Sequence, residues 1–560
     1  MDEVAAPRRS ADARARSRVD RLLYGSASAR QVAGWAALPA LAGVALLLAP
    51  GRVFSREMTW DLLYNLAGAW HLHHGQVAHV DFHTPLGALT FELTRLGFTI
   101  AGAVPQAALA GPLILLVPAL AAAALAAARR LPLLPAVLFT VYVTLLIVMP
   151  ANVGDHPNAY SLAMSYNRWG WSAVTILCLV LFVPPRPGGE RRWLDPLIGG
   201  ALLLFLFYLK FTYAVAGFGA VAAALVLMPH VRRHWPVWVA VAGAIIANAV
   251  LPHNHAYLAD IWMAAASGQA RTDLSYQLLS VVANRGEFAI NGVAVLCLVW
   301  LWQRGGAERA HVAASLVVLG LGVAVLSQNA QVGDMPVTMV SFFLIYRLLW
   351  QPPHGAAPVA SPQAATVMTA LLIWPVLAVT AETATLSAYY RAASRTDRLV
   401  QATETNLRGL AVPADGRELE ETLATSPYQM HSPLRDPPLR DPLTQHQYLR
   451  SLLEAAALFA GDATPSRVFV LDQVNAMPFV LGYPPPRGGG LWLLPEERPR
   501  LAEEVFGDVD VVLVPKYSTL ARSTVFALDT YRDYLSRSFP SRQDTESWTV
   551  LRRTRPIDGQ

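Results

Sequence analysis

Charge is scarce in this sequence. Asp, Glu, Lys and Arg make up 15% of its 560 residues, against about 25% in an ordinary soluble domain, while hydrophobic residues reach 54% and mean hydropathy is +0.36. The deficit excludes disordered and fibrous classes, and it overrides the several soluble domains that length alone suggests. It specifies a polytopic membrane protein with a less apolar part attached. Cysteine is nearly absent: Cys178 and Cys297 each sit in an apolar run and support neither a disulfide framework nor a thiolate metal site. Lysine occurs only as Lys210 and Lys516. The net charge of +5 comes from arginines spread through short loops without a basic stripe, so it sets membrane topology and excludes nucleic acid as a partner.

Residues 1–30 form a basic tail, and the apolar stretch from Gln31 to Pro50 follows as a signal anchor. Further apolar runs lie near 107–128, 131–150, 170–184, 194–209, 211–228, 236–252, 286–302, 311–327, 336–350 and 364–382. Arg129 with Arg130, Arg186 with Arg191 and Arg192, Arg232 with Arg233, and Arg304 with Arg309 fall in every second loop, as cytoplasmic loops require. The parity works for eleven spans if the stretch 86–102, which carries Glu92, Thr94 and Arg95, lies in the interface as an amphipathic helix. The expected fold is therefore a mainly α polytopic membrane protein of about eleven transmembrane helices over 31–382. Its N-terminus is cytoplasmic, and its long first loop, 51–106, is outside.

Beyond Glu382 the patterning turns soluble. Thr383 to Leu423 reads as an interfacial helix, 426–443 as a proline-rich connector within 383–443, and 444–560 as a small extracytoplasmic α/β domain. A helix at 444–460 precedes strands at Val468–Leu471, Val509–Val514 and Trp548–Leu551, with helical patterns at 496–506 and 523–538. The Gly488–Gly490 run follows three prolines and reads as a loop.

Chemistry-bearing residues concentrate in the first outer loop. Thr59 is placed to cap a helix whose apolar face carries Leu62, Leu66 and Trp70. Asp61 and Asn65, four residues apart, share its polar side near the membrane surface, where an ionisable group marks function unless it merely complements the helix N-terminus. Tyr64 follows Asp61 by three residues, and Asp81 and His83 precede Pro85. His71, His73, His74, His79 and His83 crowd together, raising a zinc alternative that lacks an H-E-x-x-H motif. On the same side Arg168, with Asn167, lies in a Trp-flanked segment suited to the headgroup level. Lys210 interrupts nearly unbroken apolar sequence, either snorkelling at a turn or binding a ligand. Arg271 and Arg285 belong to the outer loop 253–285.

A signal anchor, an outer loop opening on Asp61 and Tyr64, Gly75, Asp81 before Pro85 and an interfacial helix together resemble the GT-C glycosyltransferases. That family includes protein O-mannosyltransferases and aminoarabinose transferases. Many members carry Asp-Glu where this chain has Asp61-Leu62, and Glu-Lys-Pro-Pro where it has His83-Thr84-Pro85. The resemblance implies a membrane enzyme of the bacterial inner or plasma membrane. It would move a sugar, with inversion, from a polyprenyl-phosphate donor to a hydroxyl of a glycan, lipid or protein acceptor on the outer face. Asp61 and Asp81 are then the catalytic candidates. Arg168, Lys210, Arg271 and Arg285 are candidates for the donor phosphate, with Tyr64, Asn65, His83 and Asn167 in support. A divalent cation, Mg2+ or Mn2+, bridging Asp61 or Asp81 to phosphate is the cofactor this chemistry allows. A flippase of lipid-linked sugars and an O-antigen polymerase or ligase are the rival readings; no internal duplication supports the first.

The sidedness is open to a direct test. In a chain freed of Cys178 and Cys297, a cysteine placed beside Gly75 should react with an impermeant maleimide on intact cells. Reaction only after permeabilisation reverses the topology.

Overall fold

The structure, a computed structural model, describes residues 25–151, 153, 160–189, 191–266, 285–329, 334–350, 379–395, 399–414, 444–461, 465–493, 499–519 and 521–553. The apolar runs become helices because a segment in lipid must satisfy its own backbone hydrogen bonds. In chain order they are α1 (Ala29–Leu48), α2 (Thr59–His73), α3 (Leu89–Ala101), α4 (Ala110–Ala128), α5 (Leu133–Val148), α6 (Ser165–Phe182), α7 (Leu194–Leu209) and α8 (Phe211–Leu227). There follow α9 (Trp235–Ala249), α10 (His255–Ala266), α11 (Arg285–Gln303), α12 (Arg309–Asn329) and α13 (Met339–Trp350).

Among the described residues, α1, Pro105–Ala128 and Arg309–Ser327 are each long and apolar enough to cross a membrane, and α9 passes jointly with Pro252–Ala266 across a 69° bend. Helices α5, α7 and α8, with Phe288–Gln303 and Pro336–Leu349, are apolar but shorter. Helix length therefore does not establish the expected eleven spans. Most of the predicted span 364–382 lies outside the described residues, as do the tail up to residue 24 and the connector 426–443. The 13 residues of α3 extend about 20 Å, short of the roughly 30 Å hydrocarbon core, and its Phe91, Leu93 and Phe98 are buried.

The helix bundle has two chemically different ends. At one, Arg129 and Arg130 both reach Asp195, at 2.7 and 2.9 Å. Arg130 also donates to the carbonyls of Val180 and Val183 at the end of α6, each at 2.8 Å, where unsatisfied carbonyls favour a cation. Helix α7 runs from Asp195 through 16 residues, about 24 Å, to Lys210 at the other end. There the first outer loop leans on the α7–α8 junction: the Gly87 N–H donates to the Leu209 carbonyl at 3.1 Å, and a Cβ on Gly87 would run into the Tyr208 carbonyl.

A three-stranded sheet joins that loop to the later chain. Strands β1 (Val53–Phe54), β2 (Leu399–Gln401) and β3 (Leu410–Pro413) lie in the order β1-β3-β2, with β1 parallel and β2 antiparallel to β3. This corrects the helix expected from 383 to 423. Residues 379–393 are helical, but the chain then turns through Gly409 at φ 90° and buries Leu410, Ala411 and Val412 as a strand.

The C-terminal domain matches the α/β expectation. Strands β4 (Val468–Val470), β5 (Val511–Pro515), β6 (Ser541–Asp544) and β7 (Trp548–Arg552) are ordered β4-β5-β7-β6, with β4 and β5 parallel. Helix α14 (Gln445–Leu458) starts in a capping box of Thr444 and Gln447, and α15 spans Ala521–Ser538. The Gly488–Gly490 run is a docking edge. Gly488 N–H donates to the Asp81 carbonyl at 2.7 Å, His83 N–H to Gly489 at 3.1 Å, and Leu491 N–H to His83 at 2.9 Å.

Gly87→Ala should lower stability by about 1–3 kcal/mol, the usual cost of overpacking, read as a fall in melting temperature in detergent. An unchanged melt would mean that the loop does not rest on the α7–α8 junction.

Candidate active site

Helix α2 enters from Met58, a residue in the left-handed region at φ 51° with no side-chain cap. Thr59, expected as the cap, is the first helical residue. Its N–H is satisfied by Gln445 Oε1 at 2.9 Å, from α14 of the C-terminal domain, and its hydroxyl donates to Ser55 Oγ at 3.1 Å. The cap thus comes from far along the chain, and it fixes the first turn on which Asp61 stands.

Asp61 is only 7% exposed, and no described residue donates a hydrogen bond to its carboxylate. Burial pushes its pKa up to about 7, against the opposing pull of the Lys210 ammonium. One turn on, Asn65 is also buried, and its Oδ1 has no donor among the described residues. Asp61 and Asn65 thus share one helix face, as the four-residue spacing predicts, with Asn65 Oδ1 fully inaccessible and without a donor among the described residues. Buried polar atoms are normally paired, so each such atom calls for an explanation.

Lys210 faces this pair from the α7–α8 junction, where its backbone is extended. Its Nζ donates to Asn167 Oδ1 at 3.1 Å and lies 5.1 Å from the centroid of the Tyr166 ring. Asn167, in the first turn of α6, is held in turn by the Tyr213 hydroxyl on its carbonyl at 3.0 Å. Lys210 is thus bonded to Asn167 and acts through its charge on Asp61, with Asn65 one turn further along the Asp61 helix. Tyr64 is fully buried; its hydroxyl pairs with Thr84 Oγ1, and its ring stacks on Trp492 of the C-terminal domain at 4.3 Å.

Two of the other candidates have partners of their own. Asp81 takes the Val77 N–H at 2.8 Å and faces Arg487 at 3.7 Å, which makes it the cap of its own turn. Arg168 is 1% exposed; its guanidinium donates to the Ala151 carbonyl and Ser165 Oγ, each at 2.8 Å, and braces the loop before α6. Arg285 opens α11, and Arg271 lies outside the described residues.

The histidines divide into two groups. His71 is buried, bonded to Gln76 at 2.7 Å, and pushed down to about 4 by burial. His79 and His83 each place Nδ1 2.9 Å from Asp260 on α10. Asp260 also accepts the Thr84 N–H at 3.2 Å and Arg500 at 2.9 Å. Burial alone would raise its pKa, but the hydrogen bonds and charge of His79 and His83 prevail and hold it below the usual carboxylate range. Sequence reading missed Asp260, Thr84, Trp492 and Arg500. Their partners lie in distant segments, and no local spacing joins them.

Among the described residues no three His, Cys, Asp or Glu side chains group as a metal requires.

No protein-family model matches the chain, and no curated protein does. Among solved structures it is similar to ArnT from Cupriavidus metallidurans in the apo state, with 12% identity, 92% of this chain and 97% of that chain covered, and a TM-score of 0.46. The crystal structure of ArnT from the same organism bound to undecaprenyl phosphate gives 12% identity, coverage of 94% and 99%, and a TM-score of 0.43.

Asp260→Asn places an amide N–H against donors that now share a carboxylate. It should lower stability by about 2–4 kcal/mol and speed proteolytic release of the C-terminal domain; a wild-type digestion rate would remove Asp260 from the docking role.

Proposed function

We propose that this chain is a membrane glycosyltransferase that moves a sugar from a polyprenyl-phosphate donor to an acceptor hydroxyl at the outer membrane surface. The observation that carries the reading is Asp61, a buried carboxylate that no described residue supplies with a hydrogen bond, on the same helix face as Asn65 Oδ1, which likewise has no donor among the described residues, and within the field of Lys210. An acceptor hydroxyl supplies the missing donor. Its oxygen attacks C1 of the donor sugar while the C1–O bond to phosphate breaks. The hydroxyl proton passes to Asp61, and the bonding electrons leave with the polyprenyl phosphate. Asn65 orients the hydroxyl. Attack opposite the leaving phosphate inverts the configuration at C1.

Lys210 supplies fixed positive charge where the leaving phosphate develops negative charge, and such electrostatic stabilisation is typically the largest single contribution to a transition state. The Asn167 amide and the Tyr166 ring hold the ammonium in place. A base with a pKa near the working pH is also the most effective kind, and burial gives Asp61 that property.

The sign of the pH dependence follows. Asp61 must be ionised to take the proton, so the transfer rate rises with pH through about 7. The same upward shift favours the protonated form in the fold. Its stabilising contribution is complete below the ordinary carboxylate range and is lost as pH rises through about 7. With a polyprenyl-phosphate sugar and purified protein, Asp61→Asn should cut polyprenyl phosphate release by about 100-fold or more, as loss of a general base does, and abolish that acidic limb. Wild-type turnover by a folded Asp61→Asn protein removes Asp61 from catalysis.

A further inference from the structure

The C-terminal domain touches the first turn of α2 through one face of α14. Gln445 and Tyr448 stand three residues apart and so share that face. Gln445 Oε1 takes the Thr59 N–H at 2.9 Å. The Tyr448 ring meets Trp60 edge-on, with centroids 6.2 Å apart and planes at 82°. Thr59 and Trp60 immediately precede Asp61, so the first turn of α14 lies against the turn that carries the carboxylate. We infer that Tyr448 is a further substrate contact: its hydroxyl donates to the oxygen of the acceptor hydroxyl whose proton Asp61 takes. The inference deepens the transferase reading and rests on it.

The first argument is what each group lacks. Asp61 is an acceptor that no described residue supplies with a donor. Tyr448 is only 3% exposed, and no described residue accepts from its hydroxyl. A phenol buried that far normally finds a partner. The two groups do not bond each other, yet the phenol lies within the field of the Asp61 carboxylate. Both are satisfied at once by a group that donates on one side and accepts on the other. An alcohol hydroxyl is such a group, with one O–H and two lone pairs. The O–H goes to Asp61, one lone pair takes the Tyr448 O–H, and the second is left to attack C1. An ionised phosphate oxygen, which only accepts, would satisfy Tyr448 and leave Asp61 as it is.

The second argument is that the phenol keeps its proton. Burial, and then the charges of Asp472 and Asp61, hold it well above the ordinary phenol range. It is therefore a donor at every working pH and does not compete with Asp61 for the acceptor's proton. Asp472 has other work: its Oδ1 accepts from Ser518 Oγ at 2.7 Å, Thr519 Oγ1 at 2.9 Å and the Thr519 N–H at 3.0 Å. The helix start is secured without the phenol hydroxyl, by the capping box of Thr444 and Gln447. A donor with no structural task, beside a carboxylate with no donor, is placed to orient a reacting hydroxyl, and orientation alone lowers a barrier.

The test uses full-length protein in detergent, a polyprenyl-phosphate sugar as donor and glycerol as the acceptor alcohol, with polyprenyl phosphate release as the readout. Tyr448→Phe keeps the ring against Trp60 and removes only the O–H. It should lower the maximal rate about tenfold, the equivalent of one hydrogen bond, with the donor KM and the melting temperature unchanged. In the Asp61→Asn background the same change should cost less than about twofold, because groups that act on one hydroxyl are not additive. A wild-type maximal rate, a raised donor KM in its place, a lower melting temperature, or an equal loss in the Asp61→Asn background overturns the contact. Wild-type protein that releases no polyprenyl phosphate sinks the transferase reading and the contact with it. Release that depends on Asp61 but not on the Tyr448 hydroxyl sinks the contact alone.

Discussion

An ionisable carboxylate withdrawn from water is the constraint on which this architecture turns. Burying the charged form of Asp61 costs several kcal/mol, and no described side chain offsets it with a hydrogen bond. What offsets it is the field of Lys210. That field reaches Asp61 only if the α7–α8 junction is pressed against the first outer loop, which the Gly87–Leu209 hydrogen bond and the missing side chain of Gly87 permit. It also requires the first turn of α2 to be fixed, and Gln445 of the C-terminal domain does this by taking the Thr59 N–H. The domain is therefore part of the site's electrostatics: without it an orphaned amide would fray the turn that carries the carboxylate.

Asp260 solves the companion problem of holding the roof. It gathers His79, His83 and the Thr84 N–H from the first loop and Arg500 from the C-terminal domain. A backbone ladder from Asp81 to Leu491 runs alongside. Side-chain charge and backbone pairing thus fix the same contact twice, and Gly488 makes it possible by adopting φ 82°. A hub with four donors is sensitive to the loss of its acceptor, because each donor would then be buried without a partner.

Much of the framework was legible in the sequence because it depends on local pattern. Apolar runs such as 194–209 and 211–228 gave helices with nearly those bounds, and β4, β5 and β7 arose from the expected alternating segments. The pairing of Asp61 with Asn65 followed from helical periodicity alone. What was not legible depended on distance along the chain. Asp260 lies 177 residues from His83 in a stretch with no motif, and Arg500 lies 240 from Asp260. Between tryptophans Arg168 reads as a headgroup contact, and nothing local reveals that its guanidinium also reaches the Ala151 carbonyl and the Ser165 hydroxyl. The segment 399–413 misled because a helical start after Glu382 gave no warning that residues 53 and 54 would offer it a strand partner.

Two buried carboxylates close together in the fold are pushed in opposite directions, and that divergence divides the labour between them. Among the described residues Asp61 has no donor and feels one cation, Lys210, so burial wins and its pKa rises to about 7. Asp260 has four donors, so hydrogen bonding wins and it stays ionised. A single environment cannot make one acid both a proton acceptor and a permanent anion; two environments built from neighbouring helices can. Tyr64 stands between them, and its buried phenol feels both charges. Exchanging the two surroundings would leave the reactive helix with a fixed anion and the roof with an acceptor that loses its charge near neutrality, so the placement of donors, more than the placement of acids, assigns the roles.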